Sequence, residues 1–179
     1  MLTSSIARNV ARPQPGVSSK NFHFFVREAE DLAYETMLFW GRRDNKEVVS
    51  YLVSDVKTGQ QGVLVLPWRY NQEGRSEPDY HVNIPNKTIT DDDGRVFNML
   101  KMVHVHPRGE HAALSSPEDR RWLNTIGLPG YILTSGFLYR ISLDPNINDY
   151  NAGPTDMLLP APALRQKGVQ RPSLFPSAR

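Results

Sequence analysis

Apolar residues recur at helical spacing in one early segment of the chain and in short runs further along. Helix-forming residues dominate positions 27–40, where the apolar side chains from Ala29 to Trp40 fall on one face. We therefore predict a helix over 27–40 that ends at Gly41, followed by a polar turn over 42–46. A shorter helix is predicted over 117–125, ended by Gly127.

Runs of β-branched and apolar residues bounded by turn residues predict strands. Residues 48–53 and 62–66 flank the turn residues 55–59 and form a predicted hairpin. A second hairpin is predicted over 130–134 and 137–143. Residues 80–84 form a predicted short strand, and 96–106 form a strand or a short helix leading into one. Residues 21–26 are either an opening strand or the approach to the first helix. These elements predict an α/β domain.

The composition restricts this domain to the middle of the chain. The 179 residues suffice for one domain with a sizeable core. Residues 1–20 and 151–179 each carry a net charge of +3, so the total of +2 leaves −4 for residues 21–150. We predict a flexible segment over 1–20, a folded domain over 21–150, and a disordered, proline-rich basic tail over 151–179. The tails are candidate docking segments for a protein partner.

Several functional classes are disfavoured by the same composition. Residues 21–150 contain no basic stripe interleaved with aromatics, so we expect no nucleic-acid partner. The chain has no cysteine, which excludes disulfides and thiolate ligands. No apolar run is long enough to span a membrane, and residues 1–8 lack the apolar core of a secretory signal. We therefore expect a cytoplasmic protein that makes no membrane contact.

Two histidines at the end of the predicted strand 96–106 form a candidate metal site. Alternate side chains of an extended segment point the same way, so His104 and His106 project from one face. Neutral imidazole suits Zn²⁺, and a catalytic zinc usually has three protein ligands and a water. The third ligand should be a nearby carboxylate. Asp119 is suitably placed in the first turn of the predicted helix, with Ser115 or Ser116 as its N-cap.

Residues 104–107 have the sequence H-V-H-P, and residues 116–119 have the sequence S-P-E-D. Together they resemble the H-x-H-P and S-x-x-D signature of the JAMM (MPN+) zinc metalloproteases, in their bacterial, JAB-like branch. The resemblance covers about residues 27–145 and implies a mixed central sheet flanked by helices, as in cytidine deaminases. It implies that Zn²⁺ is bound by His104, His106 and Asp119, and that Ser116 hydrogen bonds to the tetrahedral intermediate.

The spacing between the two parts of this signature leaves open whether its second part begins at Ser116 or at Ser115. Nine residues separate His106 from Ser116, where the usual pattern has seven. If the motif starts at Ser115 instead, Glu118 occupies the carboxylate position.

The resemblance also implies a general base, a glutamate upstream on the strand that follows the first helix. Glu47 begins the run E-V-V-S-Y-L-V, which resembles the family's E-x-x-G-L-L. Glu35 begins E-T-M-L-F-W-G, which is similar to another bacterial variant. We choose Glu47, because a helix over 27–40 places it where helix gives way to strand. A strand over 36–40 would favour Glu35.

The resemblance implies a zinc-dependent metallopeptidase or isopeptidase that hydrolyses an amide bond. Its substrate would be a protein or peptide, and the C-terminus of a ubiquitin-like protein is one that the family implies. The alternative is a non-catalytic MPN-type scaffold, which the long loop and the two competing glutamates favour. A RadC-like role on DNA is a third hypothesis, against which the acidic middle of the chain argues.

Overall fold

A mixed β-sheet carries one helix on each face in the computed structural model, which describes residues 20–68, 77–106, 114–134 and 137–154. In chain order the elements are β1 (His23–Val26), a 3₁₀ turn (Arg27–Ala29), α1 (Glu30–Asp44), β2 (Val48–Asp55), β3 (Gln61–Val65), β4 (Val82–Asn83), β5 (Thr88–Thr90), β6 (Val96–Val105), α2 (Pro117–Ile126), β7 (Gly130–Leu133), β8 (Phe137–Arg140) and β9 (Tyr150–Pro154). The predicted helices and both predicted hairpins are therefore present, while β5 and β9 were not predicted.

The strand order is β1-β3-β2-β6-β7-β8-β9, with β5 also paired to β6 and β4 paired to β5. Neighbours run antiparallel except β6 and β7, which are parallel. Parallel strands need a crossover connection, and α2 lies in the connection between these two. The α/β class and the mixed sheet flanked by helices are thus confirmed.

The alternation of side chains along β2 divides the core into two layers. Val48 and Leu52 pack with α1 on one face. Val49, Tyr51 and Val53 pack with α2 on the other. Period-two alternation of this kind is expected for a central strand covered on both sides. Each layer therefore holds one helix against the sheet.

The first helix extends beyond the predicted stop at Gly41, so the polar turn predicted over 42–46 is wrong at residues 42–44, and the chain turns at Asn45. α1 continues to Asp44 and ends at Asn45, which has the left-handed conformation with φ 52° and caps the helix through its N–H to the carbonyl of Gly41. A Cβ at Gly41 would lie 3.0 Å from the Val105 side chain and 3.3 Å from the carbonyl oxygen of Lys46. The glycine therefore permits close packing of α1 on the sheet, and asparagine supplies the cap.

β9 crosses the boundary that we drew between residues 150 and 151. It pairs antiparallel with β8, with Phe137 opposite Pro154. Residues 1–19 and 155–179, which include most of both predicted tails, lie outside the described residues, as do residues 107–113. Neither helix in the described ranges is long and apolar enough to cross a membrane.

Candidate metal centre

The end of β6 brings two imidazoles together beneath α2. Val103 and Val105 belong to the α1 layer, so the alternate residues His104 and His106 point to the other face. The side chain of His104 is fully buried and that of His106 is 16% exposed. Their Nε2 atoms lie 2.8 Å apart. The predicted convergence of the two histidines is confirmed.

The first turn of α2 supplies a carboxylate through a capping box. Ser116 is the N-cap, with extended backbone at φ −78° and ψ 161°, and Pro117 follows in the first turn. The N–H of Asp119 donates to Ser116 Oγ at 3.1 Å. In return, Asp119 Oδ2 accepts hydrogen bonds from the N–H and the hydroxyl of Ser116 at 2.7 and 2.8 Å. Two donors on one oxygen hold the carboxylate in a single orientation.

This box resolves the register that the sequence left open. Asp119 lies with Oδ1 3.5 Å from His104 Nε2 and Oδ2 3.5 Å from His106 Nε2. Glu118, the alternative, is exposed on the first turn of α2 and is not a member of the donor cluster. The motif therefore runs from Ser116 to Asp119. The hydroxyl of Ser116, for which the resemblance implies a contact with the reaction intermediate, donates to the Asp119 carboxylate.

Sheet pairing places Glu47 at the same point. β2 is antiparallel to β6, with Val48 opposite Val105, so the residue before β2 lies beside the residue after β6. Glu47 Oε1 is 3.9 Å from His104 Nε2, and its side chain is 17% exposed. The other candidate base, Glu35, lies within α1 and is outside the donor cluster. Residues 36–40 are helical, so the condition that would have favoured Glu35 is not met.

One donor atom from each of the four residues lies within 4.8 Å of all the others. A tetrahedral zinc with bonds of about 2.0–2.1 Å places neighbouring ligand atoms about 3.3 Å apart. The two Nε2 atoms lie 2.8 Å apart. Each lies 3.5 Å from a different oxygen of Asp119, Oδ1 for His104 and Oδ2 for His106, so each carboxylate oxygen is close to that spacing from one imidazole. With neutral imidazoles and ionised carboxylates, the cluster has a negative charge that a divalent cation balances. Glu47, His104, His106 and Asp119 therefore form a site that could hold a metal ion.

The electrostatics of the site also favour a cation at its centre. Burial alone would raise the pKa of the Asp119 carboxyl, but contacts with His104 and His106 hold that pKa well below its usual value. Burial alone would lower the pKa of His104, but Asp119, and then the charges of Glu47 and Asp149, raise it. The carboxylates thus stabilise positive charge on or beside the buried imidazole.

His104 also carries a polar atom without a partner. Its Nδ1 is buried and accepts or donates no hydrogen bond within the described residues. Such atoms are rare and cost about 1–3 kcal/mol each. The buried imidazole is therefore not explained by packing, since an apolar side chain would avoid this cost.

Comparisons with protein-family profiles, curated proteins and solved structures return no match to this chain. The geometry of the site, together with the resemblance of its motif, therefore carries the functional argument.

The structure adds one residue that the sequence analysis did not single out. Asp149, between β8 and β9, accepts a hydrogen bond from the N–H of Ser115 at 2.6 Å, next to the capping box. The two residues are 34 positions apart in the chain. No motif surrounds Asp149, so local sequence contained no signal that could have found it.

Proposed function

We propose that this protein is a zinc-dependent amidohydrolase that cleaves a peptide or isopeptide bond. The observation that carries the proposal is the convergence of Glu47, His104, His106 and Asp119 on one point at the end of the sheet. Two imidazoles and an oriented carboxylate form the usual three-ligand set of a catalytic zinc, and a further carboxylate is what proton transfer beside such a zinc requires. The resemblance of residues 104–119 to the JAMM signature supports the same reading.

The donor chemistry fits zinc better than a hard cation. His104 and His106 supply imidazole nitrogen, which suits zinc, whereas Mg²⁺ and Ca²⁺ prefer oxygen ligands throughout. In the proposal these two residues and Asp119 bind the metal. A bound zinc would polarise the scissile carbonyl and lower the pKa of its water toward neutrality.

Glu47 and Ser116 have the remaining roles, proton transfer and orientation of Asp119. Glu47 takes a proton from the attacking water and delivers it to the leaving nitrogen, a role that its partly exposed carboxylate can perform from the rim of the site. Ser116 keeps Asp119 in place. Donation by Ser116 to a developing oxyanion would require its hydroxyl to turn away from Asp119 Oδ2. The substrate class, a protein or peptide such as a ubiquitin-like C-terminus, rests on the resemblance alone.

The first test is elemental analysis of the purified chain and of its His106→Ala and Asp119→Ala variants. We expect about one zinc per chain, lost in both variants. Glu118→Gln is the matched control, because it removes an exposed carboxylate from the same helical turn and should keep the metal. A chain that takes up no zinc even after the metal is added would overturn the proposal and leave the non-catalytic scaffold.

The second test separates binding from chemistry. Glu47→Gln should retain zinc but lose about 10²–10⁴-fold in hydrolysis of a quenched peptide library, because it removes the proton acceptor. Glu35→Gln should change neither quantity. If Glu47→Gln retained full hydrolysis, the assignment of the base would be wrong.

A further inference from the structure

A second polar network lies directly behind the first turn of α2. Asp149, whose side chain is fully buried, accepts hydrogen bonds from the N–H of Ser115 at 2.6 Å and from the N–H of Ser142 at 2.9 Å, one on each oxygen. Arg120 adds a contact to Asp149 Oδ1 at 3.4 Å and donates through Nε to Ser115 Oγ at 2.9 Å. Its third nitrogen reaches the carbonyl of Asp144 at 3.3 Å.

This network ends at Ser115, one residue before the N-cap Ser116 that holds the Asp119 carboxylate. Ser115 precedes Ser116, and the N–H and hydroxyl of Ser116 hold Asp119 Oδ2. Asp149 therefore fixes the backbone from which the capping box is built. On its other side, Ser142 follows β8, which is joined through β7 to β6 and its two histidines.

The chain segment between His106 and Ser116 cannot by itself fix the position of Asp119 relative to the two histidines. Nine residues separate His106 from Ser116, and a connection of that length leaves many relative positions open to its ends. The histidines belong to the sheet, whereas Asp119 belongs to a helix outside it. Packing of Leu123 and Ile126 holds the second half of α2 on the sheet, and the Asp149 network adds a link at its first turn, where Asp119 lies.

We infer that Asp149, together with Arg120, is a positioning residue of the metal centre that sets the place of Asp119 relative to the two histidines. The inference rests on the proposed metal site, but not on hydrolysis. A carboxylate is required at position 149 because each oxygen faces a backbone N–H. An asparagine could accept only one of these bonds and would turn its NH₂ toward the other donor.

The test is a titration of Co²⁺ into the metal-free, full-length chain, followed by visible absorption. Cobalt is used because its visible spectrum reports the number and arrangement of its ligands. A substitution that only lowers the stability of the fold would leave that spectrum unchanged. Asp149→Asn should bind Co²⁺ about 10–100-fold more weakly, as is typical when an outer-shell partner is lost. Its spectrum should shift toward that of Asp119→Ala.

Two further variants keep the result interpretable if Asp149→Asn folds poorly. Arg120→Lys loses the forked contact but leaves both backbone bonds to Asp149, and should show a smaller shift in the same direction. Asp144→Asn is the matched control in the same loop, because among the described residues its exposed carboxylate bonds only to Asn146, and it should match the unmodified chain.

Each outcome separates the inference from the proposed function. Unchanged cobalt affinity and spectrum in Asp149→Asn and Arg120→Lys, with only a lower melting temperature, would overturn the positioning role and leave the hydrolase proposal intact. Shifted spectra in a protein that hydrolyses nothing would support the positioning role while the catalytic proposal fails. Failure of the unmodified chain to bind Co²⁺ would overturn both.

Discussion

Replacement of Ser116 by alanine tests whether the capping box holds both the helix and the ligand. The variant loses Oγ, which accepts from the N–H of Asp119 and donates to its carboxylate. Loss of a serine N-cap costs about 0.5–2 kcal/mol. Since 1 kcal/mol shifts the melting temperature by about 2–4 °C in a domain of this size, we expect the metal-free variant to melt about 1–8 °C lower.

The same substitution should weaken metal binding through a separate effect. One of the two donors to Asp119 Oδ2 remains, the N–H of Ser116, so the carboxylate gains freedom of rotation. We expect zinc affinity to fall about 10–100-fold, as for other outer-shell losses. Affinity is measured by competition with a chelating dye, and stability by thermal unfolding without metal.

Two substitutions make this prediction refutable. Ser116→Thr retains the hydroxyl in an extended backbone that threonine adopts readily, so stability and affinity should both be close to normal. Thr125→Ala removes a hydroxyl from the same helix, where it bonds to the carbonyl of Arg121 and caps nothing. A melting temperature in Ser116→Ala no lower than in Thr125→Ala, with unchanged zinc affinity, would show that the box stabilises neither helix nor site.

Three further predictions concern the scaffold. Gly62→Ala should lower the free energy of unfolding, measured in urea, by about 3 kcal/mol, because the new Cβ would lie 2.2 Å from the carbonyl oxygen of Phe25. A loss below about 1 kcal/mol would contradict the packing observed. Tyr51→Phe should lower the free energy of unfolding by about 1–3 kcal/mol in the same assay. The Tyr51 hydroxyl accepts a hydrogen bond from Trp122 Nε1 at 2.9 Å and donates one to a backbone carbonyl at 2.6 Å. Equal stability would show that these bonds are replaceable. The third concerns Asp55, whose pKa is lowered to about 2 by a backbone N–H and an arginine. Because the folded pKa lies below the ordinary value of about 3.9, its stabilisation is complete above that value and is lost as the pH falls through about 2. Asp55→Asn should therefore show a shallower loss of melting temperature than the unmodified chain between about pH 5 and pH 2, and parallel curves would rule out this contribution.

Local patterns were sufficient to predict most elements of the fold. The apolar runs of β2 and β3 and the stop of α2 at Gly127 depend on neighbours in the chain, and they were predicted. For β6 the sequence left open a strand or a short helix leading into one, and for the cap of α2 it left open Ser115 or Ser116. The end of α1 was predicted wrongly because we expected Gly41, for its conformational freedom, to end the helix. Its actual role, close approach to Val105, depends on a strand more than fifty residues away. β9 was not predicted because its sequence, Y-N-A-G-P, contains no run of apolar residues and forms a strand by pairing with β8.

The candidate site divides in the same way. By itself, the sequence determined that His104 and His106 share a face and that Asp119 begins a helix, because alternation and capping are local properties of the backbone. Only the tertiary structure decided that Glu47 rather than Glu35 joins them, since that follows from the antiparallel register of β2 and β6. It also decided that Asp149 supports the start of α2, a contact across 34 residues. Convergence of distant residues depends on strand order and register, which no local pattern contains.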